Sequence, residues 1–222
     1  MVSGPKFWRQ TLSLAGLVLF AASTHAASPP PTVKVEKIPP RIERRTFDPK
    51  QPPADMPKLT PPEAAMCVFK FECDTRLGVV FPRLRLKTTR ATVNLSQITA
   101  RLSITIWTPE NATPQIKAHE ETHREICEVY YAAVDRFARP LASRYIGRKI
   151  TVSGEDHDDA IDEVLRTLQS EMLAEFMENT AQRCLVAQQR FDAITKHGTN
   201  AAPNREARDR ALAEEEEARR PQ

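Results

Sequence analysis

Ile116-Lys117-Ala118-His119-Glu120-Glu121-Thr122-His123-Arg124-Glu125-Ile126-Cys127 reads as a helix with two imidazoles on one face. His119 and His123 are four residues apart, which places them one turn apart on the same side. Ile116, His119, His123, Ile126, Cys127, Tyr130, Val134 and Phe137 recur at three- and four-residue steps, so both histidines fall on the apolar stripe. Buried imidazoles need partners, and a single metal ion can serve two of them. Glu120, beside the first histidine, could then accept a proton from water at that ion. Two core histidines satisfied by ordinary hydrogen bonds are the competing reading.

The sequence before this helix is β-rich. Val79 to Leu86 and Ala91 to Trp107 set Val, Leu and Ile among Thr, Ser and Gln, in the manner of antiparallel strands with one wet face. Thr108-Pro109-Glu110-Asn111 ends the last strand, and Pro114 suits the first turn of a helix predicted to run until about Pro140. Further upstream, Thr60-Pro61-Pro62-Glu63 offers a capping box for a short helix. Alternation of Cys67, Phe69, Phe71 and Cys73 with Val68, Lys70 and Glu72 argues instead for a strand, and both readings stand.

After a connector over 141–155, the acidic run Glu155 to Asp159 opens a second long helix. Its stripe is Ile161, Val164, Leu165, Leu168, Met172, Phe176, Thr180, Cys184, Ala187, Phe191 and Ile194, and Gly198 stops it. The fold expected is therefore α+β, a small antiparallel sheet packed on the HExxH helix and a second long helix. That arrangement is analogous to the zincin-type metallopeptidases.

The ends of the chain read differently. Residues 1–27 have the form of a secretory signal peptide, with Lys6 and Arg9 before an apolar run from Thr11 to Ser23 and small residues at Thr24-His25-Ala26. The run is short for a permanent span, so no stable membrane segment is expected after cleavage, and an uncleaved tether is the competing reading. Eleven of the 18 prolines lie between Pro29 and Pro62, and residues 28–62 read as a disordered linker. The globular domain is expected over 63–200, followed by a charged tail, disordered or helical, over 201–222.

Composition bounds the partners. A net charge of +3 with both signs mixed, and no basic patch interleaved with aromatic residues, gives no footprint for nucleic acid. Cys67, Cys73, Cys127 and Cys184 are an even set in a chain read as exported to the periplasm or beyond, which favours disulfides over thiolate ligation of metal. Cys127–Cys184 with Cys67–Cys73 is the pairing slightly favoured, and a link from Cys184 to Cys67 or Cys73 is the alternative.

A catalytic zinc needs a third protein ligand. Positions 126 and 129 are Ile and Val, so the metzincin extension is absent and the ligand must come from afar. Of the remaining histidines, His157 lies in an acidic helix start and His197 lies at the end of the second helix beside Asp192 and Thr195, so His197 is preferred. Glu175 is a weaker candidate. Asp192 is placed behind a ligand histidine, where it could orient the ring. Tyr130 and Tyr131 could assist an oxyanion or simply pack.

The β-rich run Ala91–Trp107, the proline break, the His119-Glu120-Glu121-Thr122-His123-Arg124 helix and the ending Phe191-Asp192-Ala193-Ile194-Thr195-Lys196-His197-Gly198 together resemble the predicted secreted zinc-dependent proteases of bacteria. The likeness covers roughly residues 63 to 200. The family's ending, Tyr-Asp-x-x-Thr-x-His-Gly, is met by Asp192, Thr195, His197 and Gly198, whereas Phe191 replaces the tyrosine. The resemblance implies a Zn²⁺-dependent peptidase acting on a protein or peptide substrate, with Glu120 as general base. The alternative is a non-catalytic envelope interaction protein in which the histidine site only braces two helices.

Overall fold

The structure is a computed structural model that describes residues 29–81, 88–153, 157–200 and 202–220. The signal-peptide reading of 1–27 lies outside the described residues. The long strand β4 (Thr88–Pro109) is the spine of the sheet. Ile98, Ala100, Leu102, Ile104 and Ile106 are buried while Arg101, Ser103 and Thr105 between them are only half-buried, so the period-two pattern marks one packed face. β3 (Met66–Val80) pairs antiparallel with β4 along Thr92–Trp107. The strand reading of Cys67–Cys73 is the one the chain adopts. Thr60 to Glu63 form a turn, with the Thr60 amide donating to the Glu63 carboxylate at 2.9 Å, and no helix follows.

Because β3 occupies one edge of β4, the other edge is shared end to end by β5 (Lys149–Ser153), β1 (Thr32–Lys37) and β2 (Arg41–Phe47). β5 runs antiparallel, but β1 and β2 run parallel to β4. The sheet is therefore mixed and the fold α/β in character, which corrects the expectation of an antiparallel sheet. The parallel strands come from the segment read as disordered linker. Prolines 29–31 and 39–40 flank β1 rather than interrupt it, so its amides remain free for the ladder.

The packed face receives α1 (Pro114–Ser143). The Thr113 hydroxyl accepts from the Ile116 amide at 3.2 Å and caps its start. Pro140 does not end the helix, which runs on to Ser143, and the Arg144 amide closes the last turn on the Pro140 and Leu141 carbonyls. The second long helix is α2 (His157–Met177) and α3 (Arg183–Thr195), joined by a π-turn at Glu178–Gln182. Its stripe steps by four from Leu168 through Met172, Phe176 and Thr180 to Cys184, longer than the 3.6 residues of an α-helical turn, and the wide turn absorbs the overrun.

The C-terminal segment forms α4 (Asn204–Ala218), the helical option, and it packs on α1 and α3. Ala207, Ala211 and Glu215 are buried. Glu215 accepts from Tyr130 Oη at 2.9 Å and from Arg183 Nη2 at 2.8 Å. Among the described residues, no helix is long and apolar enough to cross a membrane.

Candidate metal centre

α1 and α3 cross so that three ligand-type atoms converge. His119 Nε2 and His123 Nε2 lie 3.1 Å apart. Asp192 Oδ1, from α3, lies 3.2 Å from the first and 3.0 Å from the second. Both histidines are buried and Asp192 is partly so. Among the described residues, this is the one group of three or more such side chains close enough to share a metal ion.

Proton positions follow from the neighbours. Gln188 Nε2 donates to the His123 carbonyl at 2.9 Å and to Cys127 Sγ at 3.1 Å, which fixes the amide orientation. Its Oε1 therefore faces His123 Nδ1, and an amide oxygen can only accept, so Nδ1 carries the proton. In the neutral ring the Nε2 lone pair then points at His119 and Asp192. Three electron-rich atoms about 3 Å apart repel one another unless a proton or a cation lies between them. A tetrahedral zinc at about 2.0–2.1 Å from each ligand spaces its ligand atoms by about 3.3 Å, close to the separations seen here. The donor set of two imidazoles and one carboxylate fits the ion.

The ring of His119 is clamped. Phe191 stacks on it at 4.9 Å and meets His123 edge-on at 4.9 Å. On its other side runs Gly198, at φ +74, where a Cβ would stand 2.9 Å from His119 Cγ. The chain reaches this point through Lys196 (φ 48) and His197 (φ 53), a left-handed end to α3. Gln115 Nε2, on the first turn of α1, donates to the Gly198 carbonyl at 2.7 Å and to that of Asn200 at 3.0 Å, so α1 and the turn after α3 are tied together.

Electrostatics express the same crowding. Burial and the neighbouring imidazoles keep His119 below the ordinary histidine range despite Asp192. For His123 burial acts downward too, but the Asp192 carboxylate outweighs it and lifts the ring to about 9. Burial opposes the charge on Asp192, and the two imidazoles overcome it and hold the carboxyl well below its usual range. Glu120 has no such partner. It is 5% exposed, its Oε2 has no hydrogen bond, and burial pushes its carboxyl up to about 7. A cleft of about 200 Å³ reaches it, lined also by Glu63, Met66, Cys67, His119, His123 and Asp192.

The expected residues are thus partly gathered and partly redistributed. His119, Glu120 and His123 share the cleft. Asp192, read as an orienting residue, joins the two imidazoles in the trio. His197 lines the same cleft with a side chain 37% exposed, its Nδ1 3.7 Å from Asp192 Oδ1, outside the trio. His157 begins α2, 35 residues upstream of Asp192 on one helical run, about 50 Å away at 1.5 Å per residue. Glu175 pairs with Arg144 on the surface. Tyr130 Oη donates to Glu215, and Tyr131 Oη donates to the Ala100 carbonyl at 2.8 Å, so both phenols serve packing.

All four cysteines are free thiols, which departs from the expected disulfides. Cys127 and Cys184 face each other with sulfurs 3.6 Å apart, a contact and not a bond. The hydrogen bond with Cys127, together with burial, pushes the Cys67 thiol far above its usual range. Cys67 and Cys73 lie on the one strand β3, too far apart to pair. Two partners escaped the sequence reading. Gln188 was detectable as a polar residue on the apolar stripe of α3, and Gly198 does more than stop the helix.

No family model matches the chain, and no curated protein or solved structure matches it either.

Proposed function

We propose that the chain is a zinc-dependent peptidase acting outside the cytoplasm on a protein or peptide substrate. The observation that carries this reading is the trio His119, His123 and Asp192 in one cleft with a buried, unpartnered Glu120 oxygen. The resemblance of the His119–Arg124 and Phe191–Gly198 segments to secreted zinc-dependent proteases supports it. The placement outside the cytoplasm rests on the signal-like residues 1–27. An ion held by the trio would acidify a water and polarise an amide carbonyl.

The residues do the rest. Glu120 takes a proton from the attacking water through its free oxygen and passes it to the leaving amine, a task suited to a carboxyl raised by burial. Gln188 holds His123 in the tautomer that presents Nε2, and Phe191 with Gly198 fixes the plane of His119. The same donor set also serves non-haem iron, but a general base at the cleft favours hydrolysis. Three protein ligands and an open cleft likewise favour an enzyme over a structural brace.

The test is metal content with proteolysis of unfolded casein, for wild type and Glu120→Gln. About one zinc per chain in both, with hydrolysis at least a hundredfold lower in the variant, is the expected result. Metal-loaded wild type without hydrolysis of any substrate would return the reading to a brace.

A further inference from the structure

A second hollow opens beside the cleft. It encloses about 900 Å³ and is bounded by Phe47, Pro53, Met56, Pro57, Leu59 and Ile116. Glu63, Ala64 and Ile116 line both spaces, so the apolar hollow adjoins the cleft that holds Glu120. Among the described residues that line it, only Lys58 and Glu63 are charged, and their charges are opposite. Five prolines form much of its wall, and their fixed φ angles shape it before any ligand arrives.

We infer that this hollow is a specificity subsite for a bulky apolar side chain of the peptide substrate, close to the scissile bond. The inference rests on the peptidase reading. Ile116 and Glu120 stand one turn apart on one face of α1, about 6 Å along its axis. An extended peptide advances about 3.3–3.6 Å per residue, so a side chain one or two residues from the cleaved amide reaches past Ile116 into the hollow. Phe47 and Met56 of its wall pack with Trp107 in a second small core, which keeps that wall in place.

The experiment separates the subsite from the chemistry. Full-length Glu120→Gln, loaded with zinc, is titrated calorimetrically with a soluble Gly/Ser/Ala host peptide that carries either one Phe or none. The Phe peptide is expected to bind about 10–100-fold more tightly. Filling the hollow from two separate segments, with Ala54→Trp and with Ala112→Phe, should bring that ratio close to one, while circular dichroism and zinc content show that each variant is folded. Equal or undetectable binding of the two peptides would overturn the subsite, as would a ratio unchanged in both filled variants. Wild type is assayed alongside for cleavage, which should fall within two residues of Phe. Preference without cleavage would sink the peptidase reading and leave the subsite standing, and cleavage without preference would do the reverse.

Discussion

Asp192 Oδ1 stands 3.0 Å from His123 Nε2 across 69 positions of sequence, and the same oxygen is 3.2 Å from His119 Nε2. A carboxylate so placed closes a trio that could share one metal ion, and His197 stands outside that trio. Asp192→Ala should therefore weaken zinc binding by more than the ten- to hundredfold typical of outer positions. His197→Ala should stay within about tenfold of wild type. Competition with a chromogenic chelator measures both, and the opposite order would assign the third corner to His197.

Gln188 is the support for His123. Its replacement by Leu, of similar bulk, leaves Nδ1–H without an acceptor and frees the ring to change tautomer. Zinc affinity should fall about 10–100-fold with the fold retained. An unchanged affinity would mean that the ring is held by Phe191 alone.

Gly198 bears two demands at once, a left-handed φ of +74 and contact with His119. Gly198→Ala should cost about 1–3 kcal/mol of stability, because backbone strain adds to the clash. It should also displace the His119 ring and lower zinc affinity. Denaturant midpoints and the chelator assay test the two halves separately, and a variant normal in both would contradict the packing described.

Without metal, Glu120 makes stability depend on pH. Its folded-state value of about 7 lies above the ordinary 4.5, so its contribution is full below pH 4.5 and is lost as pH rises through 7. In excess chelator, wild type should lose on the order of 3 kcal/mol relative to Glu120→Gln between pH 4.5 and pH 8. Parallel stability curves for the two proteins would mean that the carboxyl is solvated.

The helices were legible because their information is local. A stripe at three- and four-residue steps needs no knowledge of what it packs against, so both long helices and the pair of histidines could be read directly. The mixed sheet was not. β1 alternates well enough in Val33 and Val35, whereas β2 has only Ile42 and Phe47 as apolar residues, and both strands sit among prolines whose density suggested an unfolded linker. Their partner is a strand some 60 residues away, and parallel pairing leaves no turn signature. Asp192 was singled out as an orienting residue, since spacing along α3 shows which face it takes and not how closely α1 crosses there. The thiols illustrate the same limit. An even count said that they could pair, and the crossing brought Cys127 and Cys184 into contact without a bond.

The π-turn at Glu178–Gln182 sets the angular phase of everything after it. Each α-helical residue advances the chain by about 100°. Five residues of a π-turn carry the chain about as far round as four α-helical ones, so removing one residue between Phe176 and Cys184 would give a regular helix with Phe191 and Asp192 near their present phase. Tightening all five into α-helix would instead rotate them by about 90° against whatever α2 is docked on. The geometry of the trio is thus stored as a residue count ten positions upstream of Asp192. A further insertion there would dismantle it without touching any residue of the cleft, whereas loss of the one extra residue would leave it intact.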